Sequence, residues 1–170
     1  DGDFMHHDGD APVSHFKGGG RGLILVEPGT SPGLDSLLNA YGLKLGGDFV
    51  VDVNPMARIM GGSPATPVVY EYGPHPITKD FQGLITIFPT VESVETTSAT
   101  EPDVTTETIA HTSEQSWGEM GALADKVSFD PGQDRQGPLN IAAAAVRKIK
   151  ETGDVHADPN APAAAGKETR

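Results

Sequence analysis

Gly18 to Val53 read GGGRGLILVEPGTSPGLDSLLNAYGLKLGGDFVVDV, and the class of fold turns on this stretch. Leu23 to Val26 form a four-residue apolar run between a glycine cluster and a Pro-Gly turn. Such a run reads as a buried strand of a parallel sheet covered on both faces. Ser31-Pro32 then offers an N-cap with proline at the first helical position, and Leu34, Leu37, Leu38 and Tyr41 follow at helical spacing up to Gly42. Phe49 to Val53 supplies a second strand. Strand, helix, strand is a βαβ unit, so the expected class is α/β with a flavodoxin-like layered sheet. The glycines of Gly18 to Gly22 precede their strand and lack a Gly-Lys-Ser/Thr ending, whereas phosphate-cradling glycines follow a strand and open a helix. They read as a tight turn.

Upstream, residues 1–16 combine three His and four Asp with two Gly and show no apolar periodicity, the composition of a flexible arm. His6, His7 and His15 are metal-ligand types, but without a scaffold to converge them no metal site is expected. Downstream, Asn54 to Pro76 hold five prolines, which forbid a long helix; the piece PVVYEY within them alternates like an extended segment. His75 lies between Pro74 and Pro76, so its backbone is held extended. ITKD, residues 77–80, reads as a helical turn and Leu84 to Phe88 as a strand. Thr105 to Thr112 alternate β-branched positions and read as a strand leading to a loop around Trp117, the one tryptophan. Leu139 to Val146 could be helical by alanine propensity, but the Gly-Pro entry and small side chains favour a central strand packed closely against helices. The Pro/Ala-rich end is a second flexible segment. The organisation expected is a 1–16 arm, a 17–150 α/β domain and a 151–170 tail.

Twelve Lys and Arg against 24 Asp and Glu give a net charge of −12, and no Lys or Arg occurs between Lys79 and Lys126. That balance excludes phosphate-backbone binding, hence nucleic acid, and disfavours an anionic membrane surface. The absence of cysteine removes thiol nucleophiles, disulfides and Cys-ligated zinc. No apolar run approaches the roughly 20 residues that span a bilayer. The chain opens at DGDFMHH without an initiator methionine and reads as a piece of a larger protein.

Trp117 is chiefly a packing anchor in this reading, because its indole is costly to leave in water and its N–H wants a partner. If a ligand surface exists here, Trp117 and Tyr72 would stack on a sugar or peptide, Glu114, Ser116 and Glu119 would supply polar contacts, and His75 an imidazole. Glu114 and Glu119 also resemble a glycosidase pair, but nearness in sequence fixes neither their separation nor a raised pKa on one of them.

Six fragments occur in order: GGGRGLILVEP, LDSLLNAYGLKLGGDFVVD, YGPHPITKDF, IFPTVESVE, HTSEQSWGE and DRQGPLNIAAAAV. Together, from about Gly18 to Val146, they resemble the extracytoplasmic domain of gliding-motility-type ABC-transporter auxiliary proteins. That domain is related in fold to class I glutamine amidotransferases and to an intraflagellar transport subunit. The resemblance implies a non-enzymatic binding or assembly module at the periplasmic face of the cytoplasmic membrane, anchored by other segments of its parent. It implies an ABC permease or another membrane auxiliary subunit as partner and leaves the ligand unspecified; the glycan or peptide ligand is the reading of Trp117 and Tyr72, and no cofactor is expected. The family's domain has a strand–helix segment before, and a Val-rich strand after, what this chain covers. The fold is therefore expected to be an incomplete fragment, with open sheet edges that invite a homo-oligomer.

A glutaminase of that fold needs a Cys nucleophile at a strand-to-helix elbow, and this chain has none. Ser31, Ser36 and Ser63 lie in no Gly-x-Ser-x-Gly elbow, and Pro64 withholds an N–H where an oxyanion hole would need it. The alternatives left open are a hydrolase or transferase with a degenerate amidotransferase-like site, and a structural spacer.

Overall fold

The computed structural model describes residues 11–30, 33–121 and 127–149. Three short helices and nine strands are found among them: α1 Ala11–Lys17, α2 Asp35–Ala40, β1 Leu43–Leu45, β2 Phe49–Asp52, α3 Pro55–Ile59, β3 Val68–Val69, β4 Thr86–Ile87, β5 Val94–Thr96, β6 Val104–His111, β7 Ser116–Glu119, β8 Arg135–Gln136 and β9 Asn140–Arg147. The fold is mixed α/β and built mostly from small antiparallel sheets. Their orders are β1-β5, β2-β7-β8, β3-β4 and β6-β9.

The leading strand–helix–strand unit does not form. Leu23 to Val26 carry no strand, and Leu23 and Leu25 are 83% and 85% exposed. The reason lies at β2, the strand that would have been their parallel partner. One edge of β2 pairs with β7, setting Val51 opposite Trp117. On the other edge the Val50 N–H donates to the Val91 carbonyl (2.9 Å) and the Asp52 N–H to the Pro64 carbonyl (2.8 Å). Both edges are engaged, and a parallel neighbour has nowhere to dock. The helix that follows starts at Asp35 with Leu34 as its cap, not at Ser31, and makes no side-chain capping bond. Ser31-Pro32 lies outside the described residues, as do His6, His7 and the tail from residue 150.

Other expectations meet the structure more closely. Strands form at Phe49, Val104 and Asn140 within a residue or two of the positions read from the sequence, and Leu84 to Phe88 contract to the two residues of β4. β9 is not a central strand, however; it pairs with β6 alone, in a bulged antiparallel ribbon from Val104–Arg147 to His111–Asn140. Trp117 is likewise not in a loop but in β7, the middle strand of its sheet. Residues 11–16, read as the end of a flexible arm, belong to α1. That helix is tied down by Phe16 against Tyr41, edge to face at 5.8 Å, and by Lys17 to Glu101 at 2.8 Å.

Two apolar clusters hold the sheets together. Val50, Val69, Ala110, Leu139 and Ile141 form one, flanked by Tyr72, Phe88, Val91 and Ala142. It joins residues from β2, β3, β6 and β9, so that four strands of three separate sheets bury their apolar faces together. Leu37, Ala40 and Tyr41 form the other, with Phe16, Leu34, Val104 and Ala145 packed on it. Among the described residues no helix is long and apolar enough to cross a membrane.

Candidate functional site

The centre of the molecule is the β2-β7-β8 sheet, and its chemistry begins with Asp48. This carboxylate precedes β2 and is 1% exposed. A buried carboxylate must be hydrogen-bonded or paired, and Asp48 is both. Its Oδ1 accepts from the Ser93 N–H and its Oδ2 from the Ser93 hydroxyl, both at 2.9 Å, and Arg135 Nη2 reaches Oδ2 at 2.8 Å. Arg135, from β8, also donates to the Gly46 carbonyl (3.1 Å) and through Nη1 to Glu95 on β5. One guanidinium therefore ties β8 to β5 and to the turn between β1 and β2, using the fork geometry that lysine lacks.

Glycines give this cluster its room. A Cβ on Gly118 would stand 2.1 Å from Asp48 Oδ2, and one on Gly46 would stand 2.1 Å from Ser93 Oγ. The Gly in Ser116-Trp117-Gly118-Glu119 is thus the space into which the carboxylate fits. Glu92 borders the same cluster and accepts the Gly47 N–H through Oε1 at 2.5 Å. Its carboxyl titrates above the usual range, first because burial disfavours its charge and then because Asp48 repels it; the Gly47 N–H and Arg135 pull the other way.

A second polar knot closes the far end of β2. Asp52 accepts from the Asn54 N–H (2.9 Å), the Ser113 N–H (3.0 Å) and the Ser113 hydroxyl (2.6 Å). Thr112 and Ser116 share a 2.6 Å hydroxyl bond, Ser116 donates to the Ser113 carbonyl at 2.7 Å, and the Leu139 N–H donates to Thr112 Oγ1 at 2.8 Å. These bonds fasten the β6–β7 turn to the start of β9.

The six residues singled out from sequence fare differently. Trp117 is 7% exposed, its indole N–H bonds Glu119 Oε2 at 3.1 Å, and its ring meets Phe129 edge-on at 6.4 Å. Ser116 is fully buried in the hydroxyl knot. Tyr72 leans against the first core cluster; its hydroxyl bonds the Val69 carbonyl (3.1 Å) and Thr86 Oγ1 (2.8 Å), and its ring meets Phe81 at 5.2 Å. His75 caps its own turn, with Nδ1 accepting the Ile77 N–H at 3.1 Å. Glu114 stands exposed on the β6–β7 turn. Trp117, Ser116 and Glu119 share β7, but no hydrogen bond or ring contact among the described residues joins Trp117 to Tyr72 or His75. The stacking platform of Trp117 with Tyr72 is therefore not assembled.

Asp48, Glu92, Ser93 and Arg135 escaped the sequence reading. Their signals were slight: an aspartate straight after Gly46-Gly47, and an Arg directly before the uncharged stretch from Gln136 to Val146. What no local pattern carries is their meeting across 87 residues of chain.

A separate concavity lies elsewhere, an open groove of about 410 Å³ between the end of α3 and the β3-β4 pair. Ala57, Met60, Val68, Ile87 and Pro89 make it apolar, and Ser63 and Thr66, whose hydroxyls bond each other at 3.1 Å, stand at its rim. Met60 and Ile87, which line it, are 45% and 47% exposed. No family model, no curated protein and no solved structure matches the chain.

Proposed function

We propose that the chain is a non-enzymatic binding or assembly module of an ABC-transporter-associated auxiliary protein, working at the extracytoplasmic face of a membrane. One observation supports this reading over an enzyme. The buried polar groups of the centre, Asp48, Asp52, Ser93, Thr112 and Ser116, are engaged with one another, with the partly exposed Arg135 and with backbone, whereas the groove beside α3 is open and mainly apolar. An acid, base or nucleophile in a working site must face the substrate; an open apolar surface suits a protein partner. In this proposal the small antiparallel sheets are the margin of a larger flavodoxin-like, amidotransferase-like layered domain, completed by other segments of a membrane-anchored parent. The ordered fragments from Gly18 to Val146 supply the partner: a permease or a second auxiliary subunit.

Photo-crosslinking tests it, with a benzophenone side chain at Met60 or Ile87 of the parent protein in its own cells. Adducts containing an ABC permease or a membrane auxiliary subunit are expected. Adducts with soluble enzymes alone, or none from either position, overturn the reading. So does turnover of glutamine, ester or glycoside reporters that is abolished by Ser63→Ala or Glu119→Ala.

A further inference from the structure

The run that fails to enter the sheet is packed against α1 at its start and closed by a local turn at its end. Gly20 and Gly22 lie so close to the rings of His15 and Phe16 that a Cβ would stand 2.2 Å and 2.7 Å from them. At the other end the Thr30 N–H (3.1 Å) and hydroxyl (2.6 Å) both bond the Glu27 carbonyl. Between them no backbone hydrogen bond engages an N–H of Leu23 to Val26 among the described residues. Exposure alternates along the run: Leu23 and Leu25 face solvent almost fully, Ile24 less so at 41%, and Val26 is half-buried. That is the presentation of an unpaired strand with one face resting on the molecule, the arrangement that recruits another strand.

From this geometry we infer that Arg21 to Glu27 pairs antiparallel with the same segment of a second copy of this chain. The charges choose the partner. The segment reads Arg-Gly-Leu-Ile-Leu-Val-Glu, with Arg21 and Glu27 both exposed and equally distant from Ile24. Antiparallel pairing centred on Ile24 sets Arg21 opposite Glu27 of the second copy and Leu23 opposite Leu25, on one face, with the two Ile24 residues meeting at the two-fold axis. A parallel pairing in register would set Arg beside Arg and Glu beside Glu, which is unfavourable. The interface is isologous, and it satisfies backbone groups of both copies while gathering their Leu23 and Leu25 side chains on one face of the two-stranded ribbon. This pairing does not depend on the transporter reading.

The absence of native cysteine makes the register readable. In the 170-residue chain, Ile24→Cys sets one thiol against its symmetry mate, whereas Val26→Cys faces Gly22 of the second copy. Mild oxidation is expected to cross-link Ile24→Cys about tenfold faster than Val26→Cys, since disulfides need Cα atoms within about 7 Å. Sedimentation velocity supplies the second arm. Arg21→Glu and Glu27→Arg are each expected to weaken self-association about threefold or more, and their equimolar mixture to restore it by complementary heterodimers. A chain that stays monomeric at millimolar concentration, equal cross-linking of the two cysteine variants, or a mixture that associates no better than its components would overturn the proposal.

Discussion

Leu23 to Val26 and Leu139 to Val146 carry the same message in sequence: a short apolar run entered through glycine and expected to be buried. Only the second is. Asn140 to Arg147 find an eight-residue partner in β6 and bring Ile141 into the main core cluster, while the first run lies on the surface with no ladder at all. Their apolarity does not separate them. The difference is whether a sheet edge is left for them. β6 offers an unclaimed edge of matching length, and β2 has both edges taken by β7 and by the Val91 and Pro64 carbonyls. Burial of an apolar run is a property of the edge as much as of the run.

The contrast breaks most visibly at Ile141. Ile141→Ala removes a nearly buried side chain from a cluster drawn from three sheets, and such truncations cost about 2–5 kcal/mol. Urea denaturation should show that loss as a lower midpoint with unchanged slope. A cost below about 1 kcal/mol would mean that β9 is no better buried than Leu23 to Val26.

Next in size is the Arg135 clamp, which ties β8 to β5 and to the turn between β1 and β2. Arg135→Ala leaves Asp48 buried with its two Ser93 bonds and no cation. Breaking a fully buried pair costs about 3–5 kcal/mol; Arg135 is itself partly exposed, so about 2 kcal/mol is expected. Asp48→Asn in the same background should recover part of it, because the unpaired charge is then gone. If the double variant is no more stable than Arg135→Ala, the clamp acts through packing rather than charge.

These residues also mark the limit of what the sequence discloses. Alternation located β6, the apolar run Phe49 to Val53 located β2, and the Gly-Pro entry with small side chains located β9. Gly42 directly follows the C-cap of α2, as the spacing implied. Pairing direction was not legible: it depends on which edges are occupied, and the decisive bonds from Val50 and Asp52 run to loop carbonyls. Trp117 hid in a strand because Gly118 and Glu119 are poor strand formers. The glycine is explained only by Asp48, which lies 70 positions earlier by direct subtraction of the residue numbers, 118 and 48.

Glu92 gives a smaller effect with a definite sign. Its folded pKa lies above the ordinary glutamate value, so the folded chain holds the proton more tightly than the unfolded chain does. Its contribution to stability is greatest below the unfolded pKa and declines as pH rises from there through the folded value. Glu92→Gln keeps an oxygen for the Gly47 N–H and removes the buried charge. The variant should melt above the wild type at pH 7, and the gap should close near pH 4. A gap that is independent of pH would assign the effect to packing rather than ionisation.

Leu25→Ser should have the smallest effect on folding and is the most direct test of the contrast. Leu25 is 85% exposed, so the folded monomer gains almost nothing from its hydrophobicity, and the substitution should shift unfolding by less than about 0.5 kcal/mol. The corresponding change at Ile141 would be severe. Dilute samples give the monomer's value, because a strand that contributes only through a second copy contributes nothing once the copies separate. In concentrated samples the wild type should gain stability and Leu25→Ser should not. A loss of more than about 1 kcal/mol at low concentration would show that the run is buried within one chain after all, and would remove the difference between the two segments.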